Sequence, residues 1–404
     1  MSPALATSVR RHALGWLVAA NAVGVWLAAL LLWPGLNDLT APLTYGRWVP
    51  LHLDWQLYGW CALPLVGALF RFYFDDSPAA QRAGRLGLGA WTCALAYAGC
   101  TWLAGGASGK LFLNFAGSAR VVWSIALLAL WGLVAWQGEK KGKAGALRQG
   151  LLLLLLAVPF LLYAAADPAL YPAVNPSSGG ATGTSLLGST LALIALFGAL
   201  PHLLRLEKIR PDKTFWPAFV VSAAFYAGMR HTHASHHEFG QIAGLSLLLA
   251  WIPLVVRQVR SWRWAGNSRR WLAAAFGWWL VLVLTGLLTF LPGFSERLKF
   301  TNALVAHSHL AMAGLVTCLH GAILINLPGS WRPSAWSFRA WQAGCAVHCA
   351  VLLWLGWQEG ADPTVLYGRG GLADWCYGLR LAAGVVMFVA SIGWLQAAWK
   401  NDQE

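Results

Sequence analysis

Charge is what this sequence has least of. Only 11% of its 404 residues are Asp, Glu, Lys or Arg, against about 25% in an ordinary soluble chain. With 58% of residues apolar, too little polar surface is left to cover a water-facing domain. Cysteine motifs are missing as well. Cys61, Cys93, Cys100, Cys318, Cys345, Cys349 and Cys376 fall mostly inside apolar runs. They form no C-x-x-C pair, no zinc-ligand spacing and no C-x-x-C-H signature of covalently attached haem, which excludes thiol-redox and structural-zinc modules. A removable signal is not expected either: the first apolar run is long and lacks a small-residue cleavage site, so it reads as a retained span. The excess of 29 Lys and Arg over 15 Asp and Glu would suggest nucleic acid in a soluble protein. Here the cations sit in short loops between apolar runs, so the pattern is one of membrane orientation and lipid contact, with no nucleic-acid partner.

What is present in quantity is apolar length. A helix needs about 20 apolar residues to cross a bilayer. Runs that meet or approach this lie near 13–33, 50–70, 86–104, 121–137, 150–166, 186–204, 215–229, 239–256, 271–292, 300–326, 338–357 and 379–399. They predict an all-α membrane protein with twelve transmembrane helices forming one domain over 1–404, the sixth to eighth being the shortest. The longest gap, 167–185, is rich in Pro, Gly and Ser and reads as an extramembrane loop. Twelve spans put both termini on one side, and Lys and Arg gather on the cytoplasmic side. The termini and even-numbered loops hold 21 of the 29 basic residues, including Arg10, Arg11, Lys140, Lys141, Lys143, Arg205 to Lys213, and Arg257 to Arg270. A miscounted helix would scramble this alternation from that point on. Both termini are therefore predicted cytoplasmic, in a bacterial-type inner membrane.

Ligand-type residues inside a bilayer are costly and point to function. Of eleven histidines, His12 and His202 read as interfacial, and His320 and His348 as packing residues. The other seven gather at the outer face by three separate routes. His52 opens the second span, His231, His233, His236 and His237 (MRHTHASHHE) follow the seventh, and His307 and His309 (VAHSHLAMAG) lie near the outer end of the tenth. Three groups at one depth predict a metal or haem centre. Residues i and i+2 of a helix point about 200° apart, so His307 and His309 suit two centres, one on each side of the helix. The adjacent His236 and His237 sit at a helix end, where irregular backbone lets both imidazoles turn to one ion.

In chain order, span and depth, these motifs (LHLDWQLYGW, HASHHEFG and AHSHLAMAG) make the chain resemble subunit I of the haem–copper oxidase superfamily, which includes the cytochrome c oxidases and nitric oxide reductases. The resemblance implies two haems without covalent attachment. His52 and His309 would be axial ligands of a low-spin haem, and His307 the proximal ligand of a high-spin haem. His236 and His237 would hold a second metal, copper in the oxidases and non-haem iron in the reductases. Electrons would pass from the low-spin haem to a binuclear centre that reduces O2 or NO. Other respiratory subunits are implied as partners, with a cytochrome c or cupredoxin-type donor, or a quinol.

The chain departs from that pattern in two places. The family takes a further metal ligand from a His early in span six, whereas here span six (GTSLLGSTLALIALFG) has none until His202 at its other end. The third ligand is then absent or comes from His231 or His233; His233 with His236 or His237 is an alternative set. Tyr226 would serve as redox tyrosine. Secondly, the cytoplasmic halves of the spans carry no buried carboxylate or Lys, only hydroxyls such as Ser222, Ser246, Thr285 and Thr289, while Asp54, Glu238, Glu296 and Glu359 lie toward the outer face. That distribution argues against a pump and favours protons taken from outside. Arg380, one turn inside the last span, would pair with a haem propionate or snorkel to the interface. Other readings remain open at this stage: a nitric oxide reductase-like subunit, a haem electron carrier that has lost the second metal, or a transporter without haem. Trp48, Trp55, Trp278 and Trp279 sit at interfacial positions and read as belt or packing residues, with a few tryptophans available to line haem faces.

Overall fold

The computed structural model describes residues 1–140, 145–173, 186–229, 238–367 and 371–400. His231, His233, His236 and His237, together with Lys141, Lys143 and most of the 167–185 loop, lie outside the described residues.

Helix accounts for nearly all regular structure. In chain order the helices are α1 (Pro3–Leu32), a short α2 (Leu36–Thr40), α3 (Tyr45–Asp54), α4 (Leu63–Tyr73), α5 (Pro78–Leu103), α6 (Gly117–Lys140) and α7 (Ala146–Ala165). They continue as α8 (Leu186–Leu203), α9 (Phe215–Gly228), α10 (Phe239–Ser246), α11 (Leu248–Arg260), α12 (Arg269–Leu288), a short α13 (Phe294–Leu298), α14 (Asn302–His309), α15 (Thr317–Asn326), α16 (Ala335–Glu359) and α17 (Leu372–Lys400). Among the described residues the only β pairings are the isolated bridges Ala107–Phe115 and Lys208–Trp262.

Nine helical stretches among the described residues are long and apolar enough to cross a membrane: Pro3–Leu32, Pro78–Leu103, Gly117–Glu139, Arg148–Ala165, Phe239–Arg260, Gly266–Leu288, Asn302–Asn326, Ala335–Glu359 and Leu372–Lys400. Leu187–Leu203 and Phe215–Gly228 are apolar but shorter, as expected for the sixth and seventh runs. The second run is interrupted, because a π-helical turn (Trp55–Cys61) joins α3 to α4. The chain is a multi-pass, all-helical membrane protein.

Local chemistry starts these helices where the sequence supplies a cap. The Ser2 hydroxyl accepts from Leu5 N at 3.3 Å and Ser77 from Ala80 N at 3.2 Å, each followed by proline in the first turn. Glu359 accepts from Asn302 N at 2.8 Å and from its side chain at 2.9 Å, which places a carboxylate at the positive end of α14.

The residues group into two compact units. The first holds 1–174, 323–337 and 388–404, and the second holds 175–322 and 338–387. In the first, α1 packs against α3, the π turn, α4 and α5. Arg10 is buried there, and its guanidinium donates to the carbonyls of Leu324 (3.0 Å), Leu327 (2.8 Å) and Gly329 (3.3 Å), closing the C-terminal end of α15. In the second, loop 204–214 pairs with loop 261–268. Ile209 N donates to Ser261 O at 2.9 Å and Arg263 N to Glu207 O at 2.8 Å.

Candidate haem-ligand histidines

His52 lies in the last turn of α3, in the first unit. Its Nδ1 is 2.9 Å from the carbonyl oxygen of Ala20 on α1. A carbonyl only accepts, so Nδ1 carries the proton and the lone pair lies on Nε2, the form of imidazole that binds iron. The approach depends on Gly24, where a Cβ would stand 2.6 Å from His52 Cε1. Two residues further on, Asp54 is fully buried. Asn114 Nδ2 donates to its Oδ2 at 2.7 Å, while Oδ1 has no hydrogen-bond partner.

His307 and His309 lie together on α14, in the second unit. His309 Nδ1 is 2.8 Å from Val305 O, which again assigns the lone pair to Nε2. His307 Nδ1 is 3.1 Å from Thr285 Oγ1 on α12, and that hydroxyl is 2.8 Å from Val281 O. A hydroxyl has one proton. Thr285 gives it to Val281 and accepts from His307, so the third histidine carries its lone pair on Nε2 as well. Thr285 is thus an anchor for His307.

The helix carrying these histidines turns π-helical immediately after them, over Leu310–Val316. The π turn after His52 begins at Trp55. Single π turns inside helices are frequent at functional sites because they re-aim side chains and release carbonyls. One carbonyl of the later turn, Ala313 O, accepts from Trp341 Nε1 at 2.9 Å. Sequence periodicity contains no signal for either turn.

The remaining described histidines lie on other helices. His348, read as packing, has its ring centroid 4.4 Å from that of His309, the planes tilted by 40°. His320 is buried, as expected of packing. His12 Nδ1 is 2.7 Å from Thr92 Oγ1, and His202 lies edge-on to Trp262 at 4.6 Å, at the C-terminal end of α8. All four of the named tryptophans make internal contacts: Trp48 Nε1 donates to Leu43 O at 3.0 Å and Trp55 Nε1 to Leu95 O at 3.3 Å. Trp279 is buried, and Trp278 Nε1 donates to Gln342 Oε1 at 2.7 Å. Tyr226 is half-buried on α9 and Arg380 half-buried on α17.

His52 in the first unit and His307 and His309 in the second are half-buried, and each is held by Nδ1 on an acceptor, the form of imidazole suited to haem iron. Among the described residues no group of three or more His, Cys, Asp or Glu side chains converges as a metal site. No protein-family model matches the chain, and no curated protein matches it. Among solved structures, the cryo-EM structure of a haem–copper terminal oxidase dimer is similar, with a TM-score of 0.62 and 12% identity over 100% of this chain and 85% of that one. The chain has a haem–copper-oxidase-like fold. The oxidase resemblance drawn from the order of the histidines therefore holds at the level of architecture. Within this haem–copper-oxidase-like fold, α8 offers no histidine among its described residues except His202, which packs on Trp262.

Proposed function

We propose that this chain is the haem-bearing catalytic subunit of a respiratory terminal reductase that delivers electrons through a low-spin haem to a high-spin haem and second-metal centre reducing O2. The observation that carries this reading is the Nδ1 anchoring of His52, His307 and His309 on Ala20 O, Thr285 Oγ1 and Val305 O. An anchor of this kind fixes tautomer and ring orientation and raises ligand basicity. Bound haem would supply one-electron transfer. The chain's own part is to present Nε2 in a fixed direction, with His307 serving the high-spin haem and His52 and His309 the low-spin one. Arg380 is assigned to a haem propionate, Tyr226 to the role of redox tyrosine, and His236 and His237, with His231 or His233, to the second metal. Twelve spans, cytoplasmic termini, an inner-membrane location and a cytochrome c, cupredoxin or quinol donor belong to the same proposal.

A second reading is favoured by α8, whose one histidine, His202, lies in its last turn. In that reading the second metal is absent and the chain is a membrane electron carrier. One measurement separates the readings: a reduced-minus-oxidised spectrum of the purified protein, with and without CO, together with iron and copper quantification. Low-spin and CO-binding haem with one copper per chain supports the O2 reductase. A third iron in place of copper indicates a nitric oxide reductase. Bis-histidine haem without O2 or NO turnover indicates the carrier, and a preparation without a Soret band ends all three.

A further inference from the structure

The helices α14 and α16 run antiparallel and in close register within the second unit. At one end Gly356 lies so near α14 that a Cβ there would stand 2.1 Å from Ala303 N, which leaves no room for a side chain. At the other end Trp341 Nε1 donates to Ala313 O in the π turn at 2.9 Å, and Gln342 Nε2 donates to Cys318 Sγ at 3.2 Å. Between these fixed points His348 meets His309, ring centroid to ring centroid at 4.4 Å with a 40° tilt. His348 is buried, and backbone contact on one side with indole and amide hydrogen bonds on the other hold its helix in place. That placement of the helix brings the His348 ring against the ring of His309.

We propose that His348 is a positioning residue for His309: its ring packs against the imidazole and would set the rotation of that imidazole when Nε2 binds iron. The inference rests on the haem reading above. His309 is restrained in two directions. The Val305 carbonyl holds the ring through Nδ1, and the tilted His348 ring packs against it from α16. An edge hydrogen bond alone leaves the ring free to swing about the line joining Nδ1 to its acceptor; a ring whose centroid lies 4.4 Å away limits that swing by steric contact. The orientation of an axial imidazole plane governs the magnetic anisotropy of low-spin ferric iron and contributes to its potential, so the consequence is spectroscopic as well as structural.

The test uses the purified full chain with its native haem complement, in three forms: unsubstituted, His348→Leu and His348→Phe. Low-spin haem content is measured optically, the g-values by electron paramagnetic resonance, and the midpoint potential by redox titration. His348→Leu is expected to retain bis-histidine low-spin haem with displaced g-values and a shifted potential. His348→Phe, which keeps a flat ring at the same place, is expected to return the g-values to those of the unsubstituted protein. Unchanged g-values and potential in His348→Leu overturn the proposal. So does a His309→Ala protein that keeps a bis-histidine spectrum until His348 is also replaced, because His348 is then a ligand itself. Should His348→Leu lose its haem, His348→Phe decides: native g-values support ring packing, and displaced ones overturn it. A low-spin signal missing from the unsubstituted protein instead overturns the haem reading, and this inference with it.

Discussion

An imidazole binds iron only through the nitrogen that carries no proton, so the partner of its other nitrogen matters as much as the ligand atom. His52, His307 and His309 each have that partner in place, two of them backbone carbonyls that no side-chain substitution removes. Replacing His309 with Ala is expected to abolish the low-spin haem signal while His307→Ala spares it and removes the CO-binding species. Loss of both signals from either change, read in difference spectra, would refute separate centres. The glycine behind His52 is equally exposed to test. Gly24→Val would drive a side chain into a ring whose Cε1 lies 2.6 Å from an added Cβ, so low-spin haem content should fall while the CO-binding species persists. The histidines themselves were legible in the sequence, because an ionisable residue in an apolar run stands out. Their anchors were not: Ala20 is 32 residues from His52, and an alanine carbonyl leaves no trace in composition.

At the scale of elements, the two π turns and the paired loops carry consequences that hydropathy does not. The π turn over Leu310–Val316 has a carbonyl taken up by Trp341. Trp341→Phe should lower stability by about 1 kcal/mol, the typical worth of one hydrogen bond, and should speed amide exchange locally within 310–316, which mass spectrometry of exchanged peptides would show. In the loop 204–214, burial alone would push the Asp212 carboxyl up, but hydrogen bonds from Arg257 and Thr214 outweigh it and hold the group at about 2. Its folded pKa is therefore below the unfolded value near 3.9. The clamp contributes fully above about pH 4, and the contribution is lost as pH falls toward 2. The melting-temperature gap between the unsubstituted protein and Asp212→Asn should thus be present at pH 6 and close over that acidic window; a gap that widens on acidification would contradict the clamp. The caps at Ser2 and Ser77 could be read from residue type. The π turns could not, since both lie in apolar stretches that fit an ordinary α-helix equally well.

On the scale of the whole molecule, the charge pattern makes the most direct claim. With 21 of the 29 basic residues in the termini and even-numbered loops, a C-terminal fluorescent-protein fusion should fluoresce, and a periplasm-dependent reporter placed after Lys110 should be active. Reporters that agree with each other across α5 to α6 would contradict the alternation.

Membrane embedding, the number and order of apolar runs, the alternation of basic charge between loops and the positions of the histidines follow from the sequence by itself. Each is a local property: apolar length, residue type and charge can be summed along the chain without knowing what packs against what. The tautomers of His52, His307 and His309, the role of Thr285 as an acceptor, the π turns and the meeting of His348 with His309 were decided only by tertiary structure. Each depends on a partner brought near by helix packing, 39 residues away in the case of His348 and His309. A hydrogen-bond acceptor or a stacked ring acts through its position in space, and spacing along a single chain does not encode that position.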